Sequence, residues 1–319
     1  MTSQSNARKH TPSAPSLRAI LQRNSWPQIL NLQEVKINPA DEATKRAVER
    51  AVNQNPLHPD DGPEYTVRFC LPRDQHNALG FGRKVYGVAS IIRRDFMMQD
   101  VETVREVDWD LEGRVLVVET RSKLCIFNVY AVNGTDNAYK DPKTGAVSGT
   151  RHDRKLAFHE LLLQDSLRLE KDGWRVVLTG DMNISCTPID SFPALRVHPE
   201  QHVRNRADYN KKFLAIDNHD GLRAVDTFRY LHPTTRKYTW ISTSKPWLSS
   251  CDRVDHILIS RSLIETKGHG SQDAASKAQS LGLAAPPRVS LIEADVLMTE
   301  VDRASSDHVP VYVNLSIET

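Results

Sequence analysis

The chain has 319 residues, of which 39% are hydrophobic and 26% charged, with a formal net charge of +2. That composition supports a globular fold with a sizeable core, and the mild excess of base does not by itself argue for a polyanionic partner. No apolar stretch approaches the ~20 residues that cross a bilayer, no signal-peptide core opens the chain, and four cysteines far apart in sequence make no zinc or redox motif, as expected for reduced thiols.

Residues 1–16 are polar and rich in Ser, Pro and Ala, and are expected to form a disordered tail ahead of a single domain over 17–319. Leu17 to Arg23 predicts a short helix, Ile29 to Val35 a buried strand, and Ala40 to Val52 a polar helix opened by Pro39-Ala40-Asp41. Residues 53–63, with their prolines, read as a loop. Strand patterns follow at Tyr65 to Leu71, Val85 to Ile92, Arg114 to Glu119 and Leu124 to Val132, the last two close enough to make a hairpin. Residues 133–150 read as one long loop. Arg151 to Lys171 predicts a helix with Leu156, Leu163 and Leu167 on one face. Trp174 to Thr179 is a strand, and 184–212 reads mostly as loop. Tyr238 to Ser242, Val254 to Ile259, Ser290 to Met298 and Val309 to Ser316 complete the strands. Residues 266–288, rich in Gly, Ala and Ser, are expected to be a flexible surface insertion. Many strands, few helices and no glycine-rich phosphate loop predict an α/β two-sheet sandwich rather than a dinucleotide-binding fold.

Three short polar signatures are tied to apolar strands: Gly180-Asp181-Met182-Asn183, Arg253-Val254-Asp255 and Ser306-Asp307-His308. Carboxylates, an amide and an imidazole at strand ends suit metal-assisted phosphodiester hydrolysis. Asp181 and Asn183, two apart, share a side of the chain. They are also ordinary turn chemistry. Glu34 closes the run from Ile29 and suits a magnesium ligand, while Lys36 offers it a surface ion pair instead. An Asp bonded to His308 would fix its tautomer and favour its charged form.

In chain order, Leu32-Gln33-Glu34-Val35-Lys36, Asn128 to Gly134, Gly180 to Asn183, Ile189-Asp190, Val225 to Arg229, Leu231-His232-Pro233, Tyr238-Thr239-Trp240, Arg253 to Asp255 and Ser306 to Pro310 resemble the exonuclease III-like apurinic/apyrimidinic endonucleases of the endonuclease/exonuclease/phosphatase superfamily, with its DNase I-like fold. The resemblance implies a four-layer α/β/β/α sandwich and a magnesium-dependent DNA phosphodiesterase of base-excision repair, with manganese as an alternative ion. Cutting would fall 5′ to an abasic site, with 3′-exonuclease activity as a second capacity. By motif position it implies Glu34, Asp181, Asn183, Asp307 and His308 as the metal-binding set. Tyr130, Asp181, Asn183, Asp255 and His308 would be catalytic, and Asn133 and Trp240 substrate contacts.

Two positions depart from the family pattern. No strand ending in Asn-x-Asn or Asn-x-Asp precedes Leu17, so the family's first strand is expected to be missing. Asp252 stands where abasic-site enzymes generally carry an apolar residue before Arg-x-Asp. A different phosphodiesterase or phosphatase of the superfamily, and a nucleic-acid-binding protein with weakened catalysis, therefore stand as competing expectations. The expected partner is damaged double-stranded DNA, met through basic loops such as Arg83-Lys84, Arg93-Arg94, Lys140 to Arg154, Arg204 to Arg206 and Lys211-Lys212. A monomer in the nucleus, or in the cytoplasm or mitochondrion, is expected.

Overall fold

The computed structural model describes residues 16–54, 62–78, 86–264 and 288–318. In chain order these form α1 (Leu17–Arg23), β1 (Ile29–Val35), α2 (Glu42–Asn53), β2 (Tyr65–Cys70), β3 (Gly87–Arg93), α3 (Arg94–Gln99), β4 (Val101–Glu106), β5 (Val115–Thr120) and β6 (Leu124–Tyr130). They continue with β7 (Ala138–Lys140), β8 (Val147–Thr150), α4 (Arg151–Lys171), β9 (Arg175–Asp181), β10 (Ser191–Phe192), α5 (Glu200–Tyr209), β11 (Val225–Asp226) and α6 (Thr227–Leu231). The last elements are β12 (Trp240–Ile241), β13 (Cys251–Asp252), β14 (Asp255–Ile259), β15 (Arg288–Val296), α7 (Glu300–Arg303) and β16 (Val311–Glu318).

The centre is a six-stranded sheet in the order β11-β14-β9-β6-β5-β4. Only β6 and β9 run parallel, because α4 carries the chain back between them. One face of this sheet packs Val117, Phe127, Val129, Leu178 and Leu258 against Phe158, Leu162 and Leu169 of α4 and Tyr209 and Phe213 beyond it. The other face meets a second sheet layer, which is in two pieces: β1-β3-β2 and the β15-β16 hairpin. The pair α1 and α2 covers the first piece through Leu21, Val52, Tyr65, Val67 and Ile91. Helices, sheet, sheet and helices give the four layers expected.

Among the described residues no strand joins β1 to β16, so each pairs on one side only. Beneath, Ile126 borders both the buried cluster that Val311, Val313, Leu315 and Ile317 of β16 pack against and the one that Ile29 of β1 packs against. Ile126 and Thr179 are half-buried although they sit in the middle strands of a six-stranded sheet.

Four expectations need correction. Residues 133–150 carry a β7–β8 hairpin, whose Asp141 side chain accepts the Lys143 and Thr144 amides. The 184–212 stretch holds α5, a helix so polar that its apolar stripe reduces to Tyr209. The pair α3 and β4 lies between predicted strands and was not foreseen. On α4 the most buried stripe runs through Lys155, Phe158, Leu162, Ser166 and Leu169, while Leu156 and Leu167 are only half-buried. The predicted 266–288 insertion and residues 1–15 lie outside the described residues.

Candidate active site

The site forms where the central strands of the six-stranded sheet end. Tyr130 at the end of β6 is the parallel register partner of Asp181 at the end of β9, and Asp181 is the antiparallel partner of Asp255 at the start of β14. Register partners project to the same face. Three residues from distant parts of the sequence thus form one row, facing the second sheet layer.

Gly180 makes the end of β9 sharp. Its φ is +125°, and a Cβ there would lie 2.1 Å from the Val129 carbonyl oxygen. Only glycine fits that approach. Three residues on, Asn183 has φ 53°, a left-handed conformation that Asn tolerates better than most. The turn is tied to its own carboxylate. Asn183 N donates to Asp181 Oδ1 at 2.8 Å, and Asn183 Nδ2 donates to Asp181 Oδ2 at 3.2 Å and to the Ala131 carbonyl at 3.0 Å. From below, Lys155 Nζ donates to the Asn183 carbonyl at 2.9 Å.

His308 comes from the approach to β16. Its backbone bridges Trp240, and its Nδ1 lies 2.8 Å from Asp255 Oδ2. Burial opposes charge on the ring, but the Asp255 carboxylate outweighs it and the pKa is pushed to about 10. The imidazole is therefore a cation at neutral pH. The converse holds for Asp255, whose burial is outweighed by His308 so that its pKa falls. Asp181 goes the other way. Burial and repulsion from Asp255 push it up to about 7, although His308, the Asn183 amide and Lys155 oppose the rise.

Tyr130 points its hydroxyl at Glu34, with Oη 2.6 Å from Oε1. Glu34 sits at an irregularity of β1, with φ 52°, and its second oxygen lies 3.3 Å from Lys36 Nζ. Both sequence readings of Glu34 thus appear together: it pairs with Lys36 and reaches the site through Tyr130. Burial and then the Glu34 carboxylate raise the Tyr130 pKa, so the phenol stays protonated.

Asp307 is exposed and accepts Trp240 Nε1 at 3.0 Å. Asn133 is exposed on the loop after β6. Asp252 is the register partner of both Trp240 and Ser191, and its Oδ1 accepts the hydroxyls of Ser185 at 3.0 Å and Ser191 at 2.5 Å. The acid that stands where an apolar residue is usual therefore has hydroxyl donors beside it.

Other motif residues are structural. Arg253 is buried between Asp190 and Asp226, each at 2.7 Å, and Arg229 adds a 2.6 Å contact to Asp190. This network clamps the strand carrying Asp255 from behind. Several cations expected to meet DNA are likewise engaged internally: Arg151 and Arg154 hold Glu112, and Lys212 bonds Asp208. Arg83-Lys84 lies outside the described residues. Sequence reasoning missed Lys155, hidden among the charges of α4. It also missed the role of Thr239, whose hydroxyl accepts the Val254 and Asp255 amides. Its place in the Tyr238-Thr239-Trp240 motif was the available signal.

The donors fit a hard divalent cation held sparsely. Carboxylates and an amide oxygen are the ligands magnesium takes, and the Asp181–Asp255 repulsion is a local excess of negative charge that a cation would relieve. Among the described residues no three of His, Cys, Asp and Glu stand together as a ligand group. An ion here would take one or two carboxylates and complete its shell with water and phosphate.

A family model described as the endonuclease/exonuclease/phosphatase family matches residues 4–308. No curated protein sequence matches the chain. Among solved structures, the APE2 catalytic domain of Xenopus laevis superposes with a TM-score of 0.61 at 19% identity, covering 95% of this chain and 88% of that one. An AP endonuclease from Archaeoglobus fulgidus gives 0.55 at 18% identity, with 96% and 97% covered. A 3′ phosphatase from Neisseria, NExo, bound to a product DNA hairpin, gives 0.55 at 20% identity, with 95% and 96% covered. At these identities the structures establish a shared fold.

Proposed function

The chain belongs to the endonuclease/exonuclease/phosphatase family, and from that premise we propose that it is a magnesium-dependent DNA phosphodiesterase of the abasic-endonuclease type. The observation that carries the reading is the row Tyr130–Asp181–Asp255 with His308 fixed on Asp255. A general base, an orienting amide and a fixed cation converge there at the end of one sheet.

In this reading Asp181 and Asn183 hold the attacking water. Asp181, pushed up to about 7, takes its proton as the new oxygen–phosphorus bond forms. Charged His308 and the Tyr130 hydroxyl donate to the phosphate oxygens, where negative charge builds in the transition state. Asp255 keeps His308 protonated and oriented. The bond to the 3′ oxygen of the preceding nucleotide breaks and that oxygen takes a proton from solvent, leaving a 3′-hydroxyl and a 5′-phosphate on the abasic residue. Glu34 would be the main holder of a magnesium or manganese ion, with Asp181, Asn183 and Asp307 as further candidate ligands, while a charged His308 has no lone pair to offer it; such an ion would supply Lewis-acid polarisation of the phosphate. Asn133 and Trp240 border the DNA.

A second reading has a specific observation in its favour. Asp252, supported by Ser185 and Ser191, makes the wall beside Trp240 polar, which suits removal of blocking groups or nucleotides at a 3′ end better than an apolar sugar pocket does. Cleavage of a duplex carrying one abasic analogue, beside a nicked duplex with a 3′-phosphate, separates the two. Faster nicking of the abasic duplex supports the first, and faster 3′ processing supports the second.

A further inference from the structure

Lys155 occupies a place that packing alone would give to an apolar residue. It begins the buried stripe of α4 that continues through Phe158, Leu162 and Leu169, and it is 2% exposed. Burial of an ammonium is costly, and an apolar side chain of the same length would pack there without that cost. Burial indeed pushes the Lys155 pKa down to about 7, against the attraction of Asp181.

What offsets the cost is specific. The ammonium donates to the carbonyl of Asn183, the residue held at φ 53°, whose amide and side chain both return to Asp181. A left-handed non-glycine residue persists only when its surroundings over-determine it. Here the Asn183 side chain is tied to Ala131 and Asp181, and its carbonyl is tied to Lys155. We propose that Lys155 is a positioning residue for the site: by holding the Asn183 carbonyl it sets the turn that aims the Asn183 amide and orients Asp181. This rests on the reading of Asp181 and Asn183 as the hydrolytic pair. Lys155 is buried beneath the turn and cannot meet DNA itself.

The test uses the full chain and Lys155→Met, which keeps length and packing but removes the donor. Hydrogen exchange of the segment 179–186, without DNA or metal, reads the turn directly. The Asn183 amide should exchange at least roughly tenfold faster in the variant, since a local opening is made easier. On an abasic duplex, kcat should fall roughly tenfold to a hundredfold with KM within about twofold, as misplacement away from the chemistry does. Lys155→Ala should lose kcat likewise and recover part of it with propylammonium chloride, but not with tetramethylammonium chloride at equal ionic strength. If Lys155→Met does not fold, the Lys155→Ala pair of salts carries the same comparison. Unchanged exchange and unchanged kcat in Lys155→Met would overturn the proposal. A wild-type protein that cuts no DNA would overturn the hydrolytic reading instead, while the exchange comparison still decides the role of Lys155.

Discussion

Asp181 and Asp255 are register partners on adjacent antiparallel strands, both nearly fully buried, yet their pKa values are driven in opposite directions. Asp255 is lowered by its bond to His308, and Asp181 is raised to about 7 by burial and by Asp255 itself. One carboxylate is thereby committed to holding a cation, and the other is left poised to exchange a proton near neutrality.

Removing the charge at Asp181 should separate catalysis from stability. In Asp181→Asn the repulsion from Asp255 disappears, so the melting temperature should hold or rise. The hydrolysis rate should fall by roughly a thousandfold, the range for loss of a general base. Thermal melts beside single-turnover cleavage check both. A parallel loss of stability and activity would mean that Asp181 is structural.

The His308–Asp255 pair makes a pH prediction. The His308 pKa is raised to about 10, so the ring is charged below that pH and loses charge as pH rises through it. Wild-type rates should therefore hold on the alkaline side until close to pH 10. In Asp255→Asn the raising partner is gone, and the alkaline limb should move down toward the ordinary histidine value of about 6.5. Rate–pH profiles of the two proteins decide this, and coincident alkaline limbs would refute the pairing.

Gly180 should tolerate no side chain. Gly180→Ala adds a Cβ against the Val129 carbonyl at 2.1 Å and forces alanine to φ +125°. A cost of about 3 kcal/mol or more is expected from strain and displacement of the β6–β9 junction. Urea unfolding measures it, and a change below about 1 kcal/mol would show that the junction relaxes freely.

Glu112 should contribute stability at neutral pH. Burial disfavours its charge, but Arg114, Arg151 and Arg154 outweigh that and hold its pKa at about 2. A depressed carboxylate stabilises the fold above its unfolded value and loses that contribution as pH falls through the folded one. Glu112→Gln should cost about 3 kcal/mol at pH 7, as breaking a buried ion cluster does, and much less near pH 2. Denaturant melts at the two pH values measure the difference, and an equal cost at both would contradict it.

Much of this was legible in the sequence because the strands are short apolar runs with polar residues at their ends, although Ile29–Val35, expected to be buried, is only half-buried. Ile29–Val35, Leu124–Tyr130 and Asp255–Ile259 announce themselves in that way, and so do Asp181 and His308 beside them. The helix α5 was not legible because its exposed face is nearly continuous charge. Nor was α3–β4, an edge pair half open to solvent with no clean alternation. Register is a tertiary property, so the row of Tyr130, Asp181 and Asp255 could not be read from spacing. Lys155 looks like any other charge on a charged helix until the fold turns it inward.

If Asp181 and His308 belong to one DNA-hydrolysing site, losing either abolishes the same cut. A duplex with a single abasic analogue, incubated with magnesium or with chelator, tests it on the wild type, Asp181→Ala and His308→Ala. Wild type with magnesium should nick 5′ to the lesion, and nicking should be lost on chelation and in both variants. Equal nicking by all three proteins, or nicking untouched by chelator, would contradict it.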